Sequence, residues 1–223
     1  MIDAAISFNP LIFLIIPLAF LIGSVPFGIL FAKGSGVDLM STGSKNIGAT
    51  NVLRTAGKLP AVLTLLCDMF KGTLALFICN VMITHLDPGN WSPELALTIE
   101  DLWLGIAGLA AVSGHMFSVF LSFRGGKGVA TGLGVMLYYS LPTAGIMLLI
   151  WVLMAVTFRY SSLAAIAAVT AMPVILALFD ASTPKIIIGV LITLLIIMKH
   201  KQNIQRLISG TESKIGNKSK AGK

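Results

Sequence analysis

The sequence predicts an all-α membrane protein, a polytopic bundle of about seven transmembrane helices with its N-terminus outside and its C-terminus in the cytoplasm. The 223 residues are 56% hydrophobic and only 11% charged, whereas a soluble domain carries about 25% charged residues. Four charge-free runs are each long enough to cross a ~30 Å hydrocarbon core: 4–32, 102–123, 128–158 and 160–179. No run alternates like a membrane barrel strand, so the spans should be helices.

The run 128–158 decides the number of helices, because its length would make about 46 Å of continuous helix, which is long for one crossing. Pro142 divides it, and Tyr138 and Tyr139 just before the proline are typical of a membrane interface. Two short crossings or a re-entrant hairpin would give the same sidedness. The expected segments lie at about 9–32, 59–84, 102–123, 128–141, 143–158, 160–180 and 185–199.

Basic residues define the sidedness of this topology. They cluster in 33–58, in 124–127, at Arg159 and from Lys199 onward, and these clusters hold 14 of the 16 lysines and arginines. Because cytoplasmic loops carry an excess of basic residues, all four clusters should face the cytoplasm. The same bias accounts for the net charge of +7, so we expect no nucleic-acid partner.

The two ends of the chain are interpreted from their composition. The N-terminal run is expected to remain as the first span, because its only charge is Asp3 and it is too long for a secretory signal. Residues 1–212 are expected to form a single membrane domain. The segment 213–223, rich in Lys, Ser and Gly, is expected to be a disordered cytoplasmic tail.

Among the polar or reactive side chains inside the predicted spans, five call for an interpretation. Asp68 and Lys71 share one helix face at i,i+3 spacing, and they form either a structural ion pair or part of a site. His115 is expected to be a hydrogen-bonded structural residue rather than a catalytic one. Cys67 and Cys79 lie about 18 Å apart along one helix, so they should be reduced and buried.

The first candidate site segment follows the first span. It reads GSVPFG from position 23 and GSKNIGATN from position 43. Its glycines allow backbone amides to point at an anion, and Arg54 adds a bidentate fork. The neutral donors of this segment are Ser44, Asn46, Thr50 and Asn51. A polar connecting loop is the alternative, although some 25 residues without an apolar period is long for a connection.

The second segment reads FRGGKGVAT from position 123 and ends at Thr131. A glycine-rich turn that opens a helix presents free amides and the positive end of the helix dipole to an anion, and Lys127 adds a point charge. The segment lacks the G-x-x-x-x-G-K-[ST] spacing of a nucleotide P-loop. A tight basic turn between two helices is the alternative interpretation.

The third segment reads KHKQNIQRLISGTE from position 199. His200 and Asn203 are spaced i,i+3, and Arg206 continues the same face. His200 can act as a base or a donor near pH 7. The alternative is a juxtamembrane basic tail that binds anionic headgroups. The histidines and cysteines offer no metal-ligand spacing, so we expect no metal and no cofactor.

Together, the stretches 23–58, 114–134 and 199–212 resemble the bacterial acyl-phosphate:glycerol-3-phosphate acyltransferases. The resemblance implies a seven-helix fold that transfers a fatty acyl group from acyl phosphate to the sn-1 hydroxyl of glycerol 3-phosphate, giving lysophosphatidic acid and phosphate. It implies a cytoplasm-facing site in the bacterial inner membrane, acyl phosphate, glycerol 3-phosphate and membrane lipids as partners, and a functional link to the enzyme that makes acyl phosphate.

The resemblance also assigns roles to residues. It implies catalytic roles for Lys127, Ser44 and His200, and substrate binding by Arg54, Asn203, Asn46, Thr131, Gly125, Gly126 and Gly128, with the three glycines around the phosphate of acyl phosphate. This sequence departs from the family at Lys45, where glycine is usual, and at Ala165, where many members have serine.

A transporter or channel for phosphate or organic anions is the alternative from another class. It would place polar residues at mid-bilayer depth in several spans. Here the polar residues concentrate at the cytoplasmic ends of the predicted spans, which favours chemistry on a lipid substrate at the membrane surface.

Overall fold

A computed structural model of the chain describes residues 9–86 and 92–216. Within these ranges the chain forms helices and no strand, as predicted. Two 3-10 turns, Pro10–Leu14 and Val119–Leu121, accompany ten α-helices: α1 Ile15–Ser24, α2 Phe27–Gly34, α3 Ala49–Thr55, α4 Lys58–Leu86, α5 Pro93–Met116, α6 Val129–Tyr139, α7 Leu141–Phe158, α8 Ser161–Phe179, α9 Thr183–Lys199 and α10 Lys201–Ile208.

The described residues contain five helical segments that are long and apolar enough to cross a membrane: Pro10–Gly34, Lys58–Leu86, Pro93–Leu121, Leu141–Phe158 and Ser161–Phe179. The pair α9 and α10, bent by 61°, makes a sixth if it is counted as one span. Helix α6 is only about 17 Å long, short of a ~30 Å core. The polytopic helical architecture is confirmed, while a crossing through α6 stays a prediction.

The break predicted within 128–158 is present. Ser140 lies between α6 and α7 with an extended backbone, and Pro142 occupies the first turn of α7. A second break was not predicted. The first span separates into α1 and α2 at Val25–Pro26, because a proline lacks the N–H that would continue the helix.

The boundaries predicted for α5, 102–123, are wrong at both ends. The helix begins at Pro93, where the Ser92 side chain caps it, and it carries Glu94 in its first turn. The predicted boundary came from a charge-free run, so it excluded the first turns of the helix, which carry charge. Acidic residues are nevertheless favourable near a helix N-terminus. At the other end the helix stops at Met116, and the following loop contains Ser122 in the left-handed region.

Close backbone contacts between helices fix the arrangement of the bundle. A Cβ at Gly23 would collide with the carbonyl of Ala111, and one at Gly134 would collide with the carbonyl of Met69. Small residues at such positions let α1 lie directly on α5 and α4 directly on α6. The last turns of α5 are thereby held beside α1, and α6 is held beside α4.

Two expectations about individual regions need revision or remain open. Cys79 is buried as expected, but Cys67 is only half-buried, so its expected burial was wrong. In the tail expected to be disordered, residues 213–216 are described, and Ser213 accepts a hydrogen bond from Arg54. Residues 217–223 lie outside the described residues.

Candidate active site

A cavity of about 530 Å³ lies where the three candidate segments meet. We call this end of the bundle the basic end. The volume is within the range of small-molecule sites, about 300–1,000 Å³. The cavity is bordered by these predicted site residues: Ser44, Asn46, Arg54, Lys127, Gly128, His200 and Asn203.

The loop before α3 is shaped by Asn51, a buried residue that was expected to be a donor to an anion and instead donates within the loop itself. Its Nδ2 donates to the carbonyls of Thr42 (3.2 Å) and Asn46 (2.9 Å), and its Oδ1 accepts from the amide of Ser44 (2.9 Å). These bonds hold Ser44 at the cavity. Lys45 lies in the left-handed region (φ 55°), where the usual glycine would avoid a cost of about 1 kcal/mol.

Arg54 extends from the last turn of α3 into the cavity wall. Its Nη2 donates to the carbonyl of Ser213 (3.0 Å), and its Nε is buried without a hydrogen-bond partner among the described residues. Leaving a buried donor without a hydrogen-bond acceptor costs about 1–3 kcal/mol. This N–H is therefore available to an acceptor that enters the cavity.

Lys127 projects from the glycine-rich turn toward α10. Its Nζ donates to Oδ1 of Asn203 at 2.5 Å. Burial lowers the pKa of Lys127 to about 8, opposed by Glu212 and reinforced by Arg206 and Arg54. Lysine is charged below its pKa, so Lys127 is still a cation at pH 7, and its direct partner is a neutral amide.

Glu212, at the end of the third segment, borders the cavity, and its role was not predicted from the sequence. Its Oε1 accepts from Ser162 and from Asn203, and its Oε2 accepts from Nε of Arg206, each at 2.7 Å. Burial would raise the pKa of this carboxyl, but hydrogen bonds from Ser162, Arg206 and Asn203 bring it below its usual value. Glu212 is thus an anion that joins α10 to α8.

His200 lies at the bend between α9 and α10 and borders the cavity. Its Nδ1 is 2.8 Å from the carbonyl of Ile196. A carbonyl only accepts, so Nδ1 carries the proton and Nε2 is the acceptor of the neutral ring. Burial lowers the pKa of His200 to about 4, which keeps it neutral at pH 7.

Two of the three glycines expected around a phosphate lie behind the cavity wall. The amide of Gly125 donates to the carbonyl of Met116 (3.1 Å), and the amide of Gly126 donates to the carbonyl of His115 (2.9 Å). Both amides are therefore occupied. Gly128 borders the cavity in a left-handed conformation (φ 85°) that starts α6.

Thr131 does not border the cavity either, so its expected contact with a substrate is not visible in this arrangement. The residue is fully buried, and its hydroxyl has no hydrogen-bond partner among the described residues. Ala165, the second departure from the family pattern, is buried and does border the cavity. Ser161 and Ser162 supply hydroxyls on the same helix.

Another wall of the cavity is apolar and consists of side chains from α4, α6 and α7. It is formed by Leu65, Met69, Leu133, Leu148 and Trp151. A ligand with an anionic head and an apolar chain matches the two walls. Among residues 9–86 and 92–216, no group of three acidic, histidine or cysteine side chains could hold a metal ion.

The charges that border the cavity leave it positive. Arg54, Lys127 and Arg206 are cations, while Glu212 and Asp68 are anions. Asp68 is already paired with Lys71 behind the wall at 2.7 Å. The unbalanced positive charge predicts an anionic ligand.

The chain is similar to glycerol-3-phosphate acyltransferases along most of its length. A family model described as glycerol-3-phosphate acyltransferase matches residues 12–210. The enzyme of that name from Mesorhizobium japonicum is 46% identical over 201 residues, covering 89% of this chain and 93% of the relative. The one from Bordetella petrii is 45% identical over 221 residues, covering 95% and 98%.

Two solved structures are also similar. The crystal structure of PlsY (YgiH), an integral membrane glycerol 3-phosphate acyltransferase, in its glycerol 3-phosphate form superimposes with a TM-score of 0.81 at 36% identity, covering 92% of this chain and 96% of that one. Its lysophosphatidic acid form gives a TM-score of 0.79 at the same identity, covering 92% and 95%.

Proposed function

Because the chain belongs to the glycerol-3-phosphate acyltransferase family and is a membrane acyltransferase, we propose that it takes its acyl group from acyl phosphate. The acceptor is the sn-1 hydroxyl of glycerol 3-phosphate, and the products are lysophosphatidic acid and phosphate. The similar crystal structures, one in a glycerol 3-phosphate form and one in a lysophosphatidic acid form, support this acceptor and this product.

The observation that carries the proposal is the pairing of a positive wall with an apolar wall in one cavity. Both proposed substrates carry a phosphate, and two phosphates need more than one cation. Arg54 and Lys127 border the cavity from different segments, and the buried Nε of Arg54 has no acceptor among the described residues. The apolar wall, including Trp151, suits the acyl chain.

In this mechanism the sn-1 oxygen attacks the acyl carbonyl carbon, the bond from that carbon to the phosphate oxygen breaks, and phosphate leaves. Acyl phosphate is a mixed anhydride with a good leaving group, so positioning and charge stabilisation suffice without a covalent intermediate. We propose that the ammonium group of Lys127 stabilises the negative charge that develops on the departing phosphate. Arg54 and Asn203 bind glycerol 3-phosphate, and Ser44 and Asn46 add donors beside it.

The hydroxyl proton moves to the departing phosphate in our assignment. His200 is the alternative acceptor, because the neutral ring has its free lone pair on Nε2. The low pKa of His200, about 4, makes it a weak base, which supports the phosphate as the acceptor.

We place the cavity on the cytoplasmic side of the bacterial inner membrane. The clustering of basic residues at the basic end supports this side. Acyl phosphate would then arrive from the enzyme that makes it, which we propose as a functional partner. A transport role fits less well, because the polar residues of the three segments concentrate at the basic end, whereas a transporter would place polar residues at mid-bilayer depth in several spans.

The reaction is tested with purified protein, acyl phosphate and labelled glycerol 3-phosphate. We expect labelled lysophosphatidic acid acylated at sn-1 and one phosphate released per product. Product acylated at sn-2, or phosphate release without acylation of glycerol 3-phosphate, would contradict the proposal.

A further inference from the structure

A buried network of α4 and α5 lies directly behind the glycine-rich turn. Nζ of Lys71 is within hydrogen-bond distance of three acceptors: Oδ1 of Asp68 (2.7 Å), the carbonyl of Val25 (2.9 Å) and Nδ1 of His115 (2.8 Å). Each of the three residues whose side chains form the network, Asp68, Lys71 and His115, is no more than 3% exposed. An ammonium group has three N–H donors, so the network accounts for all of them.

This geometry fixes the state of the His115 ring. Lys71 donates to Nδ1, so Nδ1 must be an acceptor, and the proton of the neutral ring lies on Nε2. The 3.6 Å from Nδ1 to the Asp68 carboxylate is too long for a hydrogen bond. Lys71 therefore holds the ring in one tautomer and one orientation.

The ring and the backbone of His115 both contact the glycine-rich turn. Its carbonyl accepts the amide of Gly126 at 2.9 Å, and a Cβ at Gly126 would collide with Nε2 of the ring. The neighbouring carbonyl of Met116 accepts the amide of Gly125. The turn thus packs on the end of α5, and Lys127 is the next residue along the chain.

We propose that Asp68, Lys71 and His115 are positioning residues that hold the glycine-rich turn so that Lys127 points at the reacting phosphate. The proposal rests on the role assigned to Lys127 above. Two adjacent glycines have no side chains to restrict the turn, so its shape depends on what lies behind it. A misplacement of about 1 Å in a catalytic group can lower the rate on the order of 10²-fold.

The variant His115→Asn separates positioning from folding. Asparagine can still accept the hydrogen bond of Lys71 through its amide oxygen, but it does not reach Gly126. We expect kcat with acyl phosphate to fall ~10- to 100-fold, while KM for glycerol 3-phosphate changes less than about twofold. The paired variant Asp68→Asn with Lys71→Gln, which removes both charges together, should show the same pattern.

A double-mutant cycle distinguishes a positioning role from a merely structural one. In a Lys127→Ala background there is no ammonium left to position, so His115→Asn should change the remaining rate less than about twofold. The control is Thr193→Val, which removes the buried hydrogen bond from Thr193 to the carbonyl of Val169 away from the cavity. Any loss it causes should be equal in both backgrounds.

Equal losses from His115→Asn in the two backgrounds would overturn the proposal. A second measurement does not depend on which acyl donor the protein uses. Amide hydrogen exchange over 124–128 should quicken in His115→Asn and not in Thr193→Val, and unchanged exchange would also overturn it. If the wild-type protein does not use acyl phosphate, the proposed function fails while the exchange experiment still tests the positioning.

Discussion

The two ends of the helix bundle carry similar polar residues in opposite arrangements. At the far end, Lys185 lies between two carboxylates, 3.0 Å from Asp180 and 3.6 Å from Asp101. Ser182 donates to Asp101 at 2.6 Å, and Ser140 donates to Asp180 at 2.5 Å. We call these five residues the far-end cluster. One cation is shared by two carboxylates there, so each charge lies beside one of opposite sign, and the cluster joins α5, α8 and α9.

The basic end differs, because Lys127 and Arg54 are hydrogen-bonded to neutral groups among the described residues. Lys127 donates to the neutral side chain of Asn203, and Arg54 keeps one buried N–H without an acceptor among the described residues. Glu212 is the anion that Arg206 already binds at 2.7 Å. The comparison teaches that charges held by partners of opposite sign join helices at one end of the bundle, while a surplus of cations around a cavity at the other end suits an anionic ligand such as phosphate.

The largest expected effect comes from removing a charge at the basic end. Lys127→Ala should lower kcat by ~10²–10³, about 2.7–4 kcal/mol, because it removes a fixed cation from the departing phosphate. Lys127→Arg should restore little, since a planar guanidinium is bulkier than an ammonium. Steady-state rates with acyl phosphate measure the loss.

Arg124 provides the matched control for this prediction. It precedes Lys127 in the same turn, but it is exposed and does not border the cavity. Arg124→Ala should therefore lose much less activity. Near-normal rates in a well-folded Lys127→Ala protein would contradict a role in the reaction and would indicate that the turn is an ordinary basic connection between helices.

The pH profile gives the next largest effect. Burial lowers the pKa of Lys127 to about 8, and lysine loses its charge as the pH rises through its pKa. We expect kcat/KM for acyl phosphate to be level near pH 7 and to fall about tenfold per pH unit above 8, because kcat/KM reports the free enzyme.

Lys127→Arg serves as the control for the profile, because arginine keeps its charge over this range. Its lower rate should lack the fall above pH 8. The same fall in both proteins would assign the titration to another group.

The far-end cluster should affect stability rather than rate. Lys185→Met leaves Asp101 and Asp180 without their shared cation, so we expect the free energy of unfolding to drop by about 1–3 kcal/mol. Thermal melting in detergent measures the drop, with Lys185→Arg as the charge-preserving control. Activity should stay within about twofold at permissive temperature, and a tenfold loss without a change in melting would contradict the separation of the two ends.

The two ends should also face opposite sides of the membrane. Cysteines placed at Asn90 and Ile215, in a background without Cys67 and Cys79, should react with an impermeant reagent from opposite sides. Asn90 lies outside the described residues, on the connection between α4 and α5. Labelling of both cysteines from the outside would overturn the topology.

The sequence predicted what depends on local pattern. The glycine-rich turn, the polar loop around Ser44 and the His200–Asn203 pair are short motifs, and each contributes residues to the cavity. The break in 128–158 followed from Pro142. Lys45 was recognised as a departure, and the structure shows it in the left-handed region that favours glycine.

What the sequence did not predict depends on packing between distant segments. Glu212 gains its partner Ser162 only because α10 packs beside α8. The choice between an ion pair and a site residue for Asp68 stayed open, because His115 joins that pair only through the contact of α4 with α5. The occupied amides of Gly125 and Gly126 likewise depend on the carbonyls at the end of α5.

The donor experiment tests the central claim most directly, because it asks whether the basic end acts on a phosphate leaving group. Purified wild-type protein and Lys127→Ala are each given acyl phosphate or acyl-CoA of the same chain length, with labelled glycerol 3-phosphate and without any enzyme that makes acyl phosphate. We predict rapid product formation by the wild type from acyl phosphate, a rate lower by ~10²–10³ for Lys127→Ala, and no turnover of acyl-CoA by either protein. Equal wild-type rates with the two donors would contradict the account.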